Sequence, residues 1–258
     1  MRTFVYGLVV GALAGTSVAQ VNFTGVYAQD FNGLAQSGST VLTGRGPHSL
    51  LGVLGSTGVE GWEGANPSGT SGNTEVRAHN GGLAGSSGRG VVFFGTDGSS
   101  DRALGALPTS NQVSSFGVLL TNNSTDTFTG VDISYFGEQW RAGGADIPNL
   151  LSFFYGFGPS IDAATTAFTA LDFAAPNLSG GELAIDGNAA GNRQFISATI
   201  ADLAWAPGTT LALRWNIADL PGQDNGLGID DFRIVGIPGP GSLALLGLGM
   251  IGCGRRRR

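Results

Sequence analysis

Hydrophobic residues recur at every second position in several short runs of the chain. In one run Val131, Ile133 and Tyr135 alternate with Asp132 and Ser134. A period of two is typical of β-strands, because successive side chains of a strand point to opposite faces. The pattern predicts further strands near Val26 and at 91–94, 116–120, 151–157, 194–200, 211–217 and 227–235. A helical period sustained over three turns is not found.

These short strands, separated by turn residues, predict an all-β fold. We expect an antiparallel β-sandwich, jelly-roll-like in its connections. Glycine, at 45 of 258 residues, fits a chain with many tight turns. Residues 34–90 are rich in Gly and Ser and have little pattern, yet a structureless stretch of that length is uncommon in a compact domain. We therefore expect short strands there that the pattern does not place.

The first residues have the features of a secretory signal peptide. Arg2 is followed by an apolar run from Phe4 to Ala14, and small residues at Ser17 and Ala19 suit cleavage after Ala19. The run is too short to span a bilayer. We therefore divide the chain into a signal peptide at 1–19, one β-sandwich domain at 20–236 and a separate tail at 237–258.

The tail has three parts in a fixed order. Pro238, Gly239 and Pro240 form a stiff extended motif, since proline fixes φ and disfavours helix. An apolar segment at 242–254 follows, and Arg255, Arg256, Arg257 and Arg258 end the sequence. Basic residues after an apolar segment stay on the cytoplasmic side of a membrane. The segment is shorter than the ~20 residues of a stable span, so we interpret it as a transiently inserted hydrophobic helix.

This order resembles the PEP-CTERM sorting signal, also called an ice-binding protein C-terminal domain. The matching parts are the two prolines, the apolar run from Ser242 to Gly249 and the arginine cluster; Gly239 stands where the family usually has Glu. The resemblance implies export, processing by the membrane protease exosortase, and delivery to the cell surface or extracellular matrix.

The body resembles a group of uncharacterised secreted bacterial β-sandwich proteins that often carry the same tail. The matching runs are 27–34, 99–105, 135–141, 213–215 and 226–232. They span nearly the whole body, which favours one domain. The group has no established activity, so the resemblance implies a fold and little chemistry.

Charge and cysteine content narrow the possible partners. The body between the two end segments has eight arginines, no lysine and 19 acidic residues, a net charge of −11. Such a body lacks the basic surface that neutralises phosphates, which argues against nucleic acid. Cys253, in the tail, is the sole cysteine, so an intrachain disulfide is excluded.

Acidic residues near the end of the body are candidates for a calcium site. Asp219, Asp224, Asn225, Asp230 and Asp231 place five oxygen-bearing side chains within thirteen residues, with glycines between them. Ca²⁺ prefers such oxygen ligands, although the spacing is not that of an EF-hand. The alternative is a turn whose Asp side chains cap backbone amides.

Two tryptophans are candidates for a saccharide platform. Trp62 has loop-like neighbours, and Trp140 lies beside charged residues; the alternative is that each is buried. No catalytic motif or pair of carboxylates stands out. We therefore interpret the chain as a non-enzymatic surface or matrix protein associated with extracellular polysaccharide. The alternatives are a carbohydrate-binding module, which calcium could assist, and a secreted hydrolase.

Overall fold

The computed structural model describes residues 20–83, 87–109, 112–144, 147–178, 181–222 and 224–239. These residues form two β-sheets connected by turns and by short 3₁₀ segments at Val53–Gly55, Ile161–Ala163 and Thr169–Leu171. The predicted all-β class is confirmed. In the described part of the chain, no helix is long and apolar enough to cross a membrane.

The first sheet contains eight strands among the described residues. They are β1 (Val21–Phe23), β4 (His48–Ser49), β5 (Trp62–Ala65), β9 (Val113–Asn122), β11 (Leu150–Phe157), β12 (Thr166–Ala167), β13 (Phe173–Ala174) and β16 (Thr210–Ala218). The main path runs β12-β11-β16-β9-β5-β4, with β1 paired to β9 and β13 paired to β11.

The second sheet contains nine strands by the same count. They are β2 (Val26–Gln29), β3 (Gly38–Leu42), β6 (Thr74–His79), β7 (Gly90–Phe94), β8 (Ala103–Leu107), β10 (Phe128–Ala142), β14 (Leu183–Ala184), β15 (Arg193–Ile200) and β17 (Gly226–Pro238). The main path runs β14-β10-β17-β8-β7-β6-β3, with β15 paired to β10 and β2 paired to β17.

One apolar cluster between the two sheets forms the main core. It draws side chains from the first sheet, such as Phe116 and Trp215, and from the second, such as Tyr135 and Phe232. Trp215 packs its ring against Trp62 at 6.1 Å, Phe153 at 5.1 Å and other aromatic rings. Burial of such large side chains is the main stabilising contribution.

The predicted antiparallel arrangement holds for most neighbouring strands, with two exceptions. β1 runs parallel to β9, and β6 runs parallel to β7. The short strands expected within residues 34–90 are present: β3, β4, β5 and β6 lie there, although the sequence shows no alternation that locates them. The jelly-roll-like connectivity stays a prediction.

Candidate functional site

The outer face of the nine-stranded sheet carries the most distinctive surface among the described residues. In β10 the residues Ile133 and Tyr135 belong to the core, while Ser134 and Phe136 lie on the opposite face. This follows from the alternation read in the sequence.

Strand β15 continues the outer face, because its register with β10 is regular. Thr199 lies opposite Asp132, Ser197 lies opposite Ser134, and Phe195 lies opposite Phe136. On the other side of β10, Arg233 of β17 lies opposite Ser134. The register therefore arranges these side chains as rows that cross three adjacent strands.

Part of the outer face is covered. Trp140 packs there with Val92, Phe94, Ala103 and Leu107. Gly187 lies so close above Trp140 that an added Cβ would fall 2.3 Å from a ring carbon, so this position requires glycine. We refer to the uncovered part of the outer face as the open face. It consists of Asp132, Ser134, Phe136, Arg193, Phe195, Ser197, Thr199 and Arg233.

Two phenylalanines give the open face an aromatic surface. Phe195 is 58% exposed, the largest exposed fraction among the phenylalanines of the described residues. Its ring centroid lies 5.4 Å from that of Phe136, with an interplanar angle of 60°. The Arg193 guanidinium lies 3.8 Å from the centroid of Phe136. This cation–π contact holds the Phe136 ring in place.

Beside the aromatic pair is a polar depression of about 400 Å³. It is lined by Asp132, Ser134, Ser197, Thr199 and Arg233, among others. The Thr199 hydroxyl donates to Oδ1 of Asp132 at 2.5 Å, so the Asp132 carboxylate already has one hydrogen-bond partner.

A larger depression of about 620 Å³ adjoins it, and Arg233 lines both. Its other lining residues include Gln29, Asp30, Glu60 and Asp231. Asp231 has a φ of 49° at a β-bulge, where the register between β10 and β17 shifts. Bulges redirect side chains, and here the bulge turns the Asp231 carboxylate toward Arg193, 3.7 Å away.

A pair of buried acids, Glu138 and Asp230, lies beneath Arg193. Trp140 Nε1 donates to Oε2 of Glu138 at 3.0 Å, and Nη2 of Arg193 lies 3.3 Å from Oε1. Burial raises the pKa of Glu138 to about 8, and the charge of Asp230 adds to this, despite the opposing effect of Arg193. Burial likewise raises the pKa of Asp230 to about 7. Near pH 7 Glu138 is therefore mostly protonated, and Asp230 is partly protonated.

The five proposed calcium ligands separate into two places. Asp224 Oδ1 accepts hydrogen bonds from Leu220 N and from Asn149 Nδ2, each at 3.0 Å. The Asn225 side chain accepts from Gln139 Nε2 at 2.8 Å and donates to Asn149 at 3.1 Å.

Asp230 and Asp231, by contrast, lie near Arg193 on the outer face. Asp219 interacts with Asp224 and raises its pKa further, although burial is the main cause of a value of about 7. Across the described ranges, no group of three or more Asp, Glu, His or Cys side chains is arranged to hold a metal ion. The five residues thus do not form one cation site in this structure.

Neither tryptophan offers an open ring, so the alternative interpretation, that each is buried, is confirmed and the saccharide platform at Trp62 and Trp140 is wrong. Trp62 is fully buried in β5, where its ring packs against Phe31 and its Nε1 donates to Tyr27 at 2.9 Å. Its polar neighbour Glu63 is itself buried and accepts from Ile161 N at 3.0 Å. Trp140 is buried under Gly187.

The sorting motif is only partly described. Pro238 is the last residue of β17, opposite Phe128, and Gly239 N donates to Thr127 O at 3.1 Å. The strand therefore continues two residues past the predicted domain boundary at 236. The signal peptide, Pro240, the apolar segment and Arg255–Arg258 lie outside the described residues.

Phe136, Arg193, Phe195 and Arg233 were missed by sequence reasoning. A signal for them existed in the alternation of 194–200, where Phe195, Ser197 and Thr199 share one face. What was lacking was the strand register, which alone shows that these residues face Phe136, Ser134 and Asp132.

No protein family and no curated protein matches the chain. Among solved structures, the enzymatically active domain of a bacteriophage CBA120 tailspike is 12% identical with a TM-score of 0.37, and the match covers 69% of this chain and 19% of that one. The chain thus spans about a fifth of that tailspike chain.

Two further solved structures have similarly low similarity. The carbohydrate-binding module TmCBM61 in complex with β-1,4-galactotriose is 7% identical, with a TM-score of 0.34 and coverage of 68% and 88%. A cleaved adhesin domain of Lys-gingipain from Porphyromonas gingivalis is 12% identical, with a TM-score of 0.36 and coverage of 55% and 78%. TM-scores below 0.5 do not establish a common fold or function.

Proposed function

We propose that this chain is a saccharide-binding protein whose ligand lies on the open face. The observation that carries the proposal is the exposed ring of Phe195, which packs against Phe136 of the adjacent strand and is bordered by a polar depression. Sugar rings have an apolar face of C–H groups and a rim of hydroxyls, so they suit an aromatic surface next to fixed polar groups.

The rigidity of the surface supports this role. Phe195 and Phe136 are on paired strands rather than on loops, and Arg193 is held by contacts with Glu138 and Asp231. A surface that is already ordered loses little conformational entropy when a ligand binds. The mixture of acids, hydroxyls and guanidinium groups around the ring supplies both donors and acceptors for sugar hydroxyls.

The test is a glycan array followed by titration calorimetry with the full chain and its Phe195→Ala variant. We expect the variant to bind about 10-fold more weakly, since an aromatic contact contributes about 1.5 kcal/mol. Its stability should change little because Phe195 is largely exposed. The matched control is Phe157→Ala, which removes another exposed phenylalanine, 46% accessible, from the other sheet. Equal binding by all three proteins would remove Phe195 from the site, and no hit on the array would sink the proposal.

We further propose that the protein is exported and reaches the cell surface through its tail, where it associates with extracellular polysaccharide. The three-part order of proline motif, apolar segment and arginine cluster supports this. Deleting Arg255–Arg258 in the native cells should abolish surface delivery, measured by fractionation and by mass spectrometry of the carboxyl terminus. Unchanged delivery, or secreted protein with an intact tail, would contradict it.

A further inference from the structure

The arginines of the body differ in whether their guanidinium groups have partners. Seven of the eight donate to a carbonyl or lie within 4 Å of a carboxylate. They are Arg45, Arg77, Arg89, Arg102, Arg141, Arg193 and Arg214. Arg233 makes no hydrogen bond or ion pair with any described residue. It is exposed on β17 and lies where the two depressions meet.

Two further donors without partners lie in line with Arg233. Ser134 is its neighbour on β10, and Ser197 is the neighbour of Ser134 on β15. Neither hydroxyl has a hydrogen-bond partner among the described residues, and both line the 400 Å³ depression. Adjacent strands are about 4.8 Å apart, so the row presents a guanidinium and two hydroxyls over roughly 10 Å.

Two of the acids near this row have partners within the protein. Asp132 accepts from Thr199, and Asp231 is paired with Arg193. The guanidinium of Arg233 can only donate, whereas each of the two hydroxyls can donate and accept. A planar guanidinium suits a carboxylate, which it can hold through two parallel hydrogen bonds.

We propose that the open face selects acidic saccharides: Arg233 binds the carboxylate of a hexuronic acid residue, and the hydroxyls of Ser134 and Ser197 bind hydroxyl groups of the same saccharide. This rests on the proposed function, and it names the ligand class of the same site. A neighbouring sugar ring of the same saccharide lies over Phe195, which is two residues along β15 from Ser197.

The negative charge of the body opposes this assignment mainly through the carboxylates near Arg233, since Asp30, Glu60, Asp132 and Asp231 line the two depressions. The rest of the net charge of −11 is more distant, and at physiological ionic strength charges beyond about 8 Å are largely screened. The direct contact with an unpaired guanidinium is short-range and is screened much less.

The experiment compares matched ligands on the full chain. A glycan array with hexose oligomers and the corresponding hexuronic acid oligomers is probed first. Calorimetry then compares polygalacturonic acid oligomers with their methyl esters, which keep the ring and the linkage but remove the charge. We expect the acid to bind at least 10-fold more tightly, and Arg233→Gln to weaken the acid by about 10- to 100-fold while leaving neutral oligomers within about twofold.

Two variants separate charge from geometry. Arg233→Lys keeps the charge but loses the two parallel hydrogen bonds, so it should restore only part of the affinity. Arg45→Gln, which removes an exposed arginine from another region, should have no effect. Neutral oligomers that bind through Phe195 as tightly as acidic ones would overturn the acidic selectivity and leave the proposed function standing. Absence of any saccharide binding would overturn both.

Discussion

The buried acid Glu138 leads to a prediction that can be worked out in detail. Its ordinary pKa of 4.5 is raised to about 8 in the folded protein, chiefly by burial. Between these two values the unfolded chain has released the proton and the folded chain still holds it. Stability is therefore highest at low pH in this range and falls as pH rises toward 8. The full step corresponds to about 5 kcal/mol at most.

The variant Glu138→Gln removes this ionisation and keeps the shape of the side chain. Its amide oxygen can still accept from Trp140 Nε1, so at pH 5 its free energy of unfolding should lie within about 1 kcal/mol of the wild type. At pH 8.5 the variant should be the more stable by several kcal/mol. Asp230, whose pKa is also raised, retains part of the pH dependence.

Urea unfolding of the full chain between pH 5 and 9, followed by tryptophan fluorescence, measures this directly. Glu60→Gln is the control, because Glu60 is exposed and changing it should leave the pH profile intact. Wild-type stability that rises from pH 5 to 8, or a Glu138→Gln profile parallel to that of the wild type, would refute the burial argument.

Two further predictions concern packing and metal binding. Gly187→Ala should lower the free energy of unfolding by about 1–3 kcal/mol, because the new Cβ meets the Trp140 ring. Gly191→Ala, with no atom within 4 Å of its Cβ, should leave the unfolding temperature nearly unchanged; similar losses in both variants would contradict the account. Calcium or EDTA should not shift the unfolding temperature, since the five proposed ligands do not converge. A calcium-dependent rise that Asp224→Asn abolishes would restore the cation site.

The strands that could be predicted from the sequence are those with one buried and one exposed face. In β10 the alternation is clear because buried core residues alternate with more exposed residues from Val131 to Phe136. In β5 it fails, because Glu63 is buried through a hydrogen bond to a backbone amide and Gly64 leaves room for Leu50 and Val91. In β8 the five residues Ala103–Leu107 are all buried, so they show no alternation.

The open face could not be predicted from the sequence, for a different reason. Its residues come from three strands that are separated by many residues in the chain, and only the pairing of β15 and β17 with β10 brings them together. The conspicuous residue types indicated other places. The candidate tryptophans proved to be buried, Trp62 in the main core and Trp140 in the outer-face cluster, and part of the acid-rich loop forms a hydrogen-bonded network around Asn149. Phe195 and Arg233 are unremarkable in sequence and become distinctive only by exposure and by their neighbours.

The length of β17 has a consequence for how the tail would be removed. The strand keeps its pairing up to Pro238, and the apolar segment begins at Ser242, four residues later. Fully extended, that connection reaches roughly 14 Å. If the tail is inserted in a membrane as proposed, the folded domain would lie close to the lipid headgroups and leave a protease little free chain to bind. The last backbone hydrogen bond, from Gly239 N to Thr127 O, would have to open to lengthen that free chain. Cleavage would then compete with completion of the sheet, and the order of the two events would decide how much protein is released.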